Sequence, residues 1–140
     1  MPTINVSREI GAPVDKVWNI ISDVDNEAQY WHGTKSVRNI RKEGSVIQRE
    51  VVIAFKDAKT MQTVTLNPMT SVDTRITEGP ITGSRIVTLS PAEGGSKTRV
   101  DVAWDFKLAG LLSVFGGMVK KHIAEGTEQA LERIAAKAAE

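Results

Sequence analysis

The feature that most constrains the fold is a series of short alternating segments followed by one long helical segment. From residue 36 to residue 108, apolar and polar residues largely alternate, which is typical of half-buried strands. Turn residues, mostly Gly and Pro, separate six predicted strands at 36–42, 45–55, 61–67, 71–78, 82–90 and 97–108. Because the connections are too short for parallel crossovers, we expect neighbouring strands to pair antiparallel.

Three further elements lie before these strands. Residues 3–10 alternate in the same way and predict a first strand, which Gly11-Ala12-Pro13 ends. Apolar residues at helical spacing predict a short amphipathic helix over 13–22. Asp25 is a candidate cap for a second short helix over Asn26–Trp31.

The last segment, from about Leu111 to Ala138, predicts one long helix with a broad apolar face. Gly116, Gly117 and Gly126 are unusual there, because each costs about 0.5–1 kcal/mol relative to Ala. Close packing against the sheet, room for a ligand, and a hinge at Gly110–Gly117 that opens the interior are three explanations. The sequence leaves all three open.

This order predicts one α+β domain over residues 1–140 in which a single helix covers an antiparallel sheet. A helix is about 10–12 Å wide, whereas about seven strands at ~4.8 Å spacing span roughly 30 Å. The sheet must therefore curl around the helix, and the mismatch between a curved sheet and a straight helix predicts an internal cavity.

Composition excludes several classes of function. The 140 residues are 41% hydrophobic and 25% charged, and the net charge of +1 gives no case for nucleic acid or an acidic membrane as the main partner. The absence of cysteine excludes disulfides, thiolate nucleophiles and zinc–thiolate sites. No apolar segment is long enough for membrane insertion and the first ten residues lack a signal pattern, so we expect a cytoplasmic protein, monomeric or homodimeric.

Two segments carry a resemblance to a known superfamily. The segment from Ala12-Pro13 through Val17-Trp18 to Val24 resembles the opening of the START-like (SRPBCC) superfamily, in its polyketide cyclase/dehydrase-like branch. Tyr30-Trp31-His32, followed by Lys35-Ser36-Val37, resembles the next part of that pattern. The resemblance covers essentially the whole chain. It implies a helix-grip fold and a cavity for lipids, sterols, quinones or polyketides, bordered by Tyr30, Trp31 and His32, unless these residues only clamp the sheet edge.

Arg85 is the most unusual candidate site residue. It shares the apolar side of its predicted strand with Ile81, Gly83, Val87 and Leu89, so a regular strand points it inward. A buried guanidinium needs a partner, and Glu50, Asp105 or an anionic ligand group could supply one. A bulge that lets the side chain reach solvent is the alternative. Arg8 shares the apolar side of the first strand, but solvent is within easier reach there.

Aromatic and aliphatic residues form the other expected ligand contacts. Trp104 and Phe106 alternate with charged residues and should face inward, either as core or as cavity wall. On the long helix, the expected contacts are Phe115, Met118 and Val119.

His122 lies on the same helix face and could bond a ligand oxygen or act as an acid or base, although a lone histidine is more often structural. His32 and His122 lack metal-ligand spacing, and we expect neither a metal nor a cofactor.

Three functions fit these observations. The first is binding or transport of a hydrophobic or amphipathic small molecule, oriented by Arg85 and His122. The second is a cyclase or dehydratase in which His122 or Tyr30 is the acid or base and Arg85 stabilises an enolate, which requires two of these groups to converge in the cavity. The third is an interaction helper of a quinone-linked complex, which requires a large exposed apolar patch.

Overall fold

A computed structural model describes residues 3–140, apart from the side chain of Leu111. It consists of a curved seven-stranded antiparallel sheet with one long C-terminal helix and two short helices after the first strand, which is the expected helix-grip fold. The strands are β1 (Thr3–Ile10), β2 (Thr34–Glu43), β3 (Val46–Ile53), β4 (Lys59–Asn67), β5 (Ser71–Glu78), β6 (Ile81–Ala92) and β7 (Lys97–Leu108). Their order across the sheet is β1-β7-β6-β5-β4-β3-β2.

The helices differ from the predictions mainly at their ends. Helix α1 is Val14–Ile21, and a 3₁₀ helix follows at Val24–Gln29. Asp25 lies inside that 3₁₀ helix and accepts a hydrogen bond from Asn39, so its expected capping role is wrong. The N-cap position is Asp23, whose carboxylate accepts the side-chain amide of Asn26.

The long helix begins later than the sequence pattern indicates. Helix α2 is Gly116–Ala138, and Gly110–Phe115 forms a separate 3₁₀ helix that starts at the positive φ of Gly110, 54°. The break between the two helices lies at Phe115, whose φ of −99° and ψ of 22° depart from α-helical geometry. No helix among residues 3–140 is long and apolar enough to cross a membrane.

The two halves of α2 lie in different surroundings. Its C-terminal half is packed into the main core, where Leu131 and Ile134 lie with Val17 and Trp18 of α1. Its N-terminal half carries exposed residues, such as Met118, and only the half-buried Val119, Ile123 and Ala124 contact a smaller core beneath it. Side chains therefore fill the space between the sheet and the C-terminal half of α2, but not the space beneath its N-terminal half.

Candidate functional site

A large cavity occupies the space under the N-terminal half of α2. Its volume is about 1120 Å³, above the range of about 300–1,000 Å³ typical of small-molecule pockets. Strands β3 to β7 supply one wall and α2 the opposite wall. Apolar side chains contribute much of the lining, including Ile76, Ile81, Leu112, Val119 and Ile123. This is the interior space that the mismatch between sheet and helix predicts.

The cavity opens to solvent beside the start of α2. Among its lining residues, Phe115 is 54%, Met118 64% and Phe55 38% exposed. The lining here also includes Lys56 and Glu125, which are exposed charged residues. An apolar molecule could enter at this mouth without crossing the packed core.

The structure brings most of the candidate residues together and separates two of them. The cavity lining includes Trp31, Arg85, Trp104, Phe115, Met118, Val119 and His122, as well as His32. Phe106 is fully buried in a core cluster with Ile4 and Leu108, and the half-buried Tyr30 packs against the main core. Phe106 and Tyr30 are thus not among the residues that line the cavity, so the structure does not place them where the predicted ligand contacts would lie. Arg8 is exposed, as its position near a strand end allows.

Arg85 points inward from a regular strand, but its partner is not one that the sequence indicated. Glu50 pairs with exposed Arg38 at 3.5 Å, and Asp105 is exposed on the other face of β7. Arg85 instead donates from Nη2 to Oε2 of Glu27 at 3.4 Å. Glu27 lies on the 3₁₀ helix after α1 and is itself buried, so an ion pair closes the inner end of the cavity.

A second buried arginine shares the same carboxylate. Arg49 on β3 is completely buried and donates to Oε1 of Glu27 in a very short contact. Its other donors are also used, by the side-chain oxygen of Gln62 at 2.9 and 3.2 Å and by the carbonyl of Val24 at 3.1 Å. Thr34 donates to Oε2 of Glu27 at 3.0 Å. Two guanidinium groups thus share one carboxylate.

The charges of this cluster perturb one another. Burial alone would raise the pKa of the Glu27 carboxyl, but Arg85 and Arg49, with the hydrogen bonds from Arg49 and Thr34, outweigh it and lower the pKa. Burial also lowers the pKa of Arg85; Glu27 opposes this effect and the nearby charge of Arg49 adds to it. An arginine remains protonated at neutral pH even so. The cluster therefore carries two positive charges and one negative charge.

Two tryptophans hold the guanidinium of Arg85 in place. Its central carbon lies 4.3 Å from the ring centroid of Trp31 and 5.6 Å from that of Trp104, distances typical of cation–π contacts. The two rings meet edge to face with centroids 6.5 Å apart. Trp104 Nε1 donates to Oγ1 of Thr127 at 3.0 Å, which ties β7 to α2. Arg85 is thereby fixed at the cavity wall.

Sequence reasoning missed four polar residues of this region, namely Glu27, Arg49, Gln62 and Thr74. Arg49 carries the same signal as Arg85, because it shares its side of β3 with the buried Ile47 and Val51. Gln62 and Thr74 likewise occupy buried positions of β4 and β5. Glu27 offers no comparable signal, since its helix is too short to define a buried face.

The described residues include no group of three or more His, Cys, Asp or Glu side chains that could hold a metal ion. The cavity offers a ligand apolar walls, two tryptophans and one buried cation, Arg85.

A curved antiparallel sheet that grips a long helix over such a cavity defines the helix-grip class of START-like proteins. The chain belongs to the family described as "Polyketide cyclase / dehydrase and lipid transport", which matches residues 1–139. Among curated proteins, no sequence matches significantly.

Solved structures support the same fold at low sequence identity. TTHA0849 from Thermus thermophilus is 17% identical with a TM-score of 0.83, and the alignment covers 98% of this chain and 97% of that chain. The Zhui aromatase/cyclase from a Streptomyces species is 15% identical with a TM-score of 0.83, over 98% and 93%. A START superfamily protein from Mycobacterium smegmatis is 16% identical with a TM-score of 0.80, over 97% and 96%. At these identities the likeness establishes the fold alone.

Proposed function

We propose that the protein binds or transports a hydrophobic or amphipathic small molecule in the cavity beneath α2. The observation that carries the proposal is a cavity of about 1120 Å³ that combines apolar walls with an exposed mouth and a buried arginine. Binding sites for small molecules typically have mostly apolar walls and a few polar groups that set orientation. Membership of a family that includes lipid transport supports the same function.

Gly126 gives a direct way to block the cavity. It lies within α2 and lines the cavity, and a Cβ added there meets nothing within 4 Å. Gly126→Phe should fill part of the space and lower affinity for an uncharged apolar dye, N-phenylnaphthylamine, by about tenfold or more, since each 1.4 kcal/mol of lost burial is one factor of ten. Dye fluorescence titration measures the affinity, and the melting temperature should not fall.

The matched control places the same side chain outside the cavity. Gly117 lies nine residues before Gly126 in α2, about two and a half turns away. It is exposed and also has no atom within 4 Å of an added Cβ. Gly117→Phe should keep the dye affinity of the parent protein. Equal dye binding by the parent and Gly126→Phe would mean that the dye binds elsewhere. Native mass spectrometry of protein purified from its own source would then show whether any small molecule accompanies it.

The cyclase or dehydratase alternative depends on polar groups that converge in the cavity. Of the three nominated groups, Arg85 and His122 line the cavity, but His122 is exposed, and Tyr30 packs against the core. A buried arginine supports orientation of a ligand as well as stabilisation of an enolate. We therefore rank binding above catalysis.

The helper alternative depends on exposed apolar surface. Val114, Phe115 and Met118 are 76%, 54% and 64% exposed, and two of them line the cavity. Entry of an apolar ligand requires such residues at the mouth, so ligand binding accounts for them without a protein partner.

A further inference from the structure

We propose that the ligand carries a carboxylate, which binds Arg85 at the inner end of the cavity while an apolar body extends toward the mouth. This inference deepens the proposed function and rests on it. Four features support it: Arg85 has too few hydrogen bonds, the buried charges do not balance, Thr74 beside it has an unpartnered hydroxyl, and the aromatic contacts hold the guanidinium at the cavity wall.

The guanidinium of Arg85 has few partners for its five N–H groups. Among the described residues its only hydrogen bond is the 3.4 Å contact with Glu27, longer than the roughly 2.7–2.9 Å of a good charge-assisted bond. Its Nε is buried without a partner. The Arg85 side chain is 9% exposed and belongs to the cavity lining, so an occupant of the cavity is in position to supply acceptors to the part of the guanidinium other than Nε.

The buried charges leave one positive charge in excess. Glu27 contacts Arg49 much more closely than Arg85, and Arg49 has further partners in Gln62 and Val24. The other charged residues of the cavity lining do not restore balance: Arg133 and Lys56 are positive, and Glu125 is exposed. Burying an uncompensated charge is costly, and a ligand anion would remove that cost.

Thr74 provides a second unpartnered group beside Arg85. The two residues are opposite each other on β5 and β6, both line the cavity, and Thr74 Oγ1 is buried without a partner among the described residues. A carboxylate has two acceptor oxygens and suits an arginine and a hydroxyl together, provided that Thr74 Oγ1, which is not exposed to the cavity in the unliganded protein, turns toward the ligand. A neutral alcohol offers only one oxygen and no charge.

The apolar part of the cavity determines the rest of the ligand. Ile76 and Ile81 line it two and four residues from Thr74 and Arg85 on the same strands, and Ile123 lines it from α2. A molecule with its carboxylate on Arg85 would bury its hydrocarbon against these side chains. An aliphatic monocarboxylate is therefore the simplest representative of the ligand class.

The test compares dodecanoate with dodecanol, two chains of equal length that differ in the head group. The parent protein should bind dodecanoate at least about tenfold more tightly than dodecanol, because a hydrogen bond to a charged group contributes about 1.5–3 kcal/mol. Displacement of N-phenylnaphthylamine measures both affinities. Arg85→Met keeps an unbranched side chain but removes the charge. In this variant the affinity for dodecanoate should exceed that for dodecanol by less than about twofold.

Stability gives an independent measurement on the same variant. Arg85→Met leaves Glu27 and Arg49 as a balanced pair, so the melting temperature of the unliganded protein should equal or exceed that of the parent. Arg75→Gln, an exposed position next to Thr74, is the control and should leave the affinity ratio unchanged.

Each outcome has one meaning. Equal affinity of the parent for both probes, an unchanged ratio in Arg85→Met, or a large fall in its melting temperature would overturn the carboxylate inference. Binding of dodecanol and dye without any preference for dodecanoate would leave the proposed function standing. Failure of the parent to bind any of the three probes would overturn both the carboxylate inference and the proposed function.

Discussion

Replacing Glu27 with Gln is expected to lower the unfolding free energy by about 3–5 kcal/mol, because it leaves two buried guanidinium groups without a counter-charge. Arg49 is completely buried, so solvent cannot take over the role of the carboxylate there, and Arg85 is only 7% exposed. Gln keeps the size of the side chain and one acceptor oxygen, which isolates the loss of charge. Urea denaturation at neutral pH, followed by tryptophan fluorescence, measures the change.

The control for Glu27→Gln is the same substitution at Glu50. Its side chain is 21% exposed and its partner Arg38 is 69% exposed, at 3.5 Å. Such an exposed pair contributes little, so Glu50→Gln should change the unfolding free energy by less than about 1 kcal/mol. Similar losses at both positions would show that Glu27 has no special role in the buried cluster.

A double variant separates charge from packing. Adding Arg49→Met to Glu27→Gln restores the excess of one positive charge that the parent cluster has. Because residues in one ion-pair network are coupled, the double variant should be less destabilised than the sum of the single variants. A sum that is simply additive would contradict the shared-carboxylate arrangement.

Acid unfolding provides a further measurement on Glu27→Gln. The folded protein lowers the pKa of the Glu27 carboxyl, so between its ordinary pKa and the lowered value the unfolded chain binds a proton that the folded chain does not. The unfolding free energy of the parent should therefore fall as the pH falls through that window. Gln does not titrate, so the slope of the variant should be shallower by up to one proton, about 1.4 kcal/mol per pH unit.

Much of the fold follows from patterns that local physics controls. The period-two segments set the strands, the short turns make them antiparallel, and one long helix against a wide sheet requires curvature and a cavity. The strand at Thr3–Ile10 has the predicted bounds. The start of α2 was harder to predict, because Gly110–Phe115 forms a 3₁₀ helix and the backbone of Phe115, which is not a residue type that ends helices, separates it from α2.

The candidate site was only partly predictable. The odd or even position of a residue along a strand (its parity) shows which face of the sheet the side chain lies on, but not whether core residues or the cavity surround it. Parity placed Arg85, Trp104 and Phe106 inward, and all three point that way. It did not distinguish Trp104, which lines the cavity, from Phe106, which the core surrounds. Nor did it identify Glu27, because a contact across 58 positions in the chain depends on how the 3₁₀ helix lies over the sheet.

Gly83 allows β6 to approach β7 closely two residues before Arg85. Gly83→Ala is therefore expected to lower the unfolding free energy by about 2–5 kcal/mol. Its φ is 137°, a backbone conformation that residues other than glycine rarely adopt. A Cβ there would lie 2.0 Å from the carbonyl oxygen of Asp105 and 2.7 Å from the Cα of Phe106. Both are backbone atoms of β7, so neither can move aside without shifting the strand.

Thermal unfolding measures the effect of Gly83→Ala, with Gly11→Ala as the control. Gly11 has no positive φ and no atom within 4 Å of an added Cβ, so alanine there should be neutral or slightly stabilising. Because Gly83 lies two residues before Arg85 on β6, any Gly83→Ala protein that folds should also bind dodecanoate more weakly. A melting temperature equal to that of the parent would show that β6 and β7 can separate at this point, and the fixed position assigned to Arg85 would then be wrong.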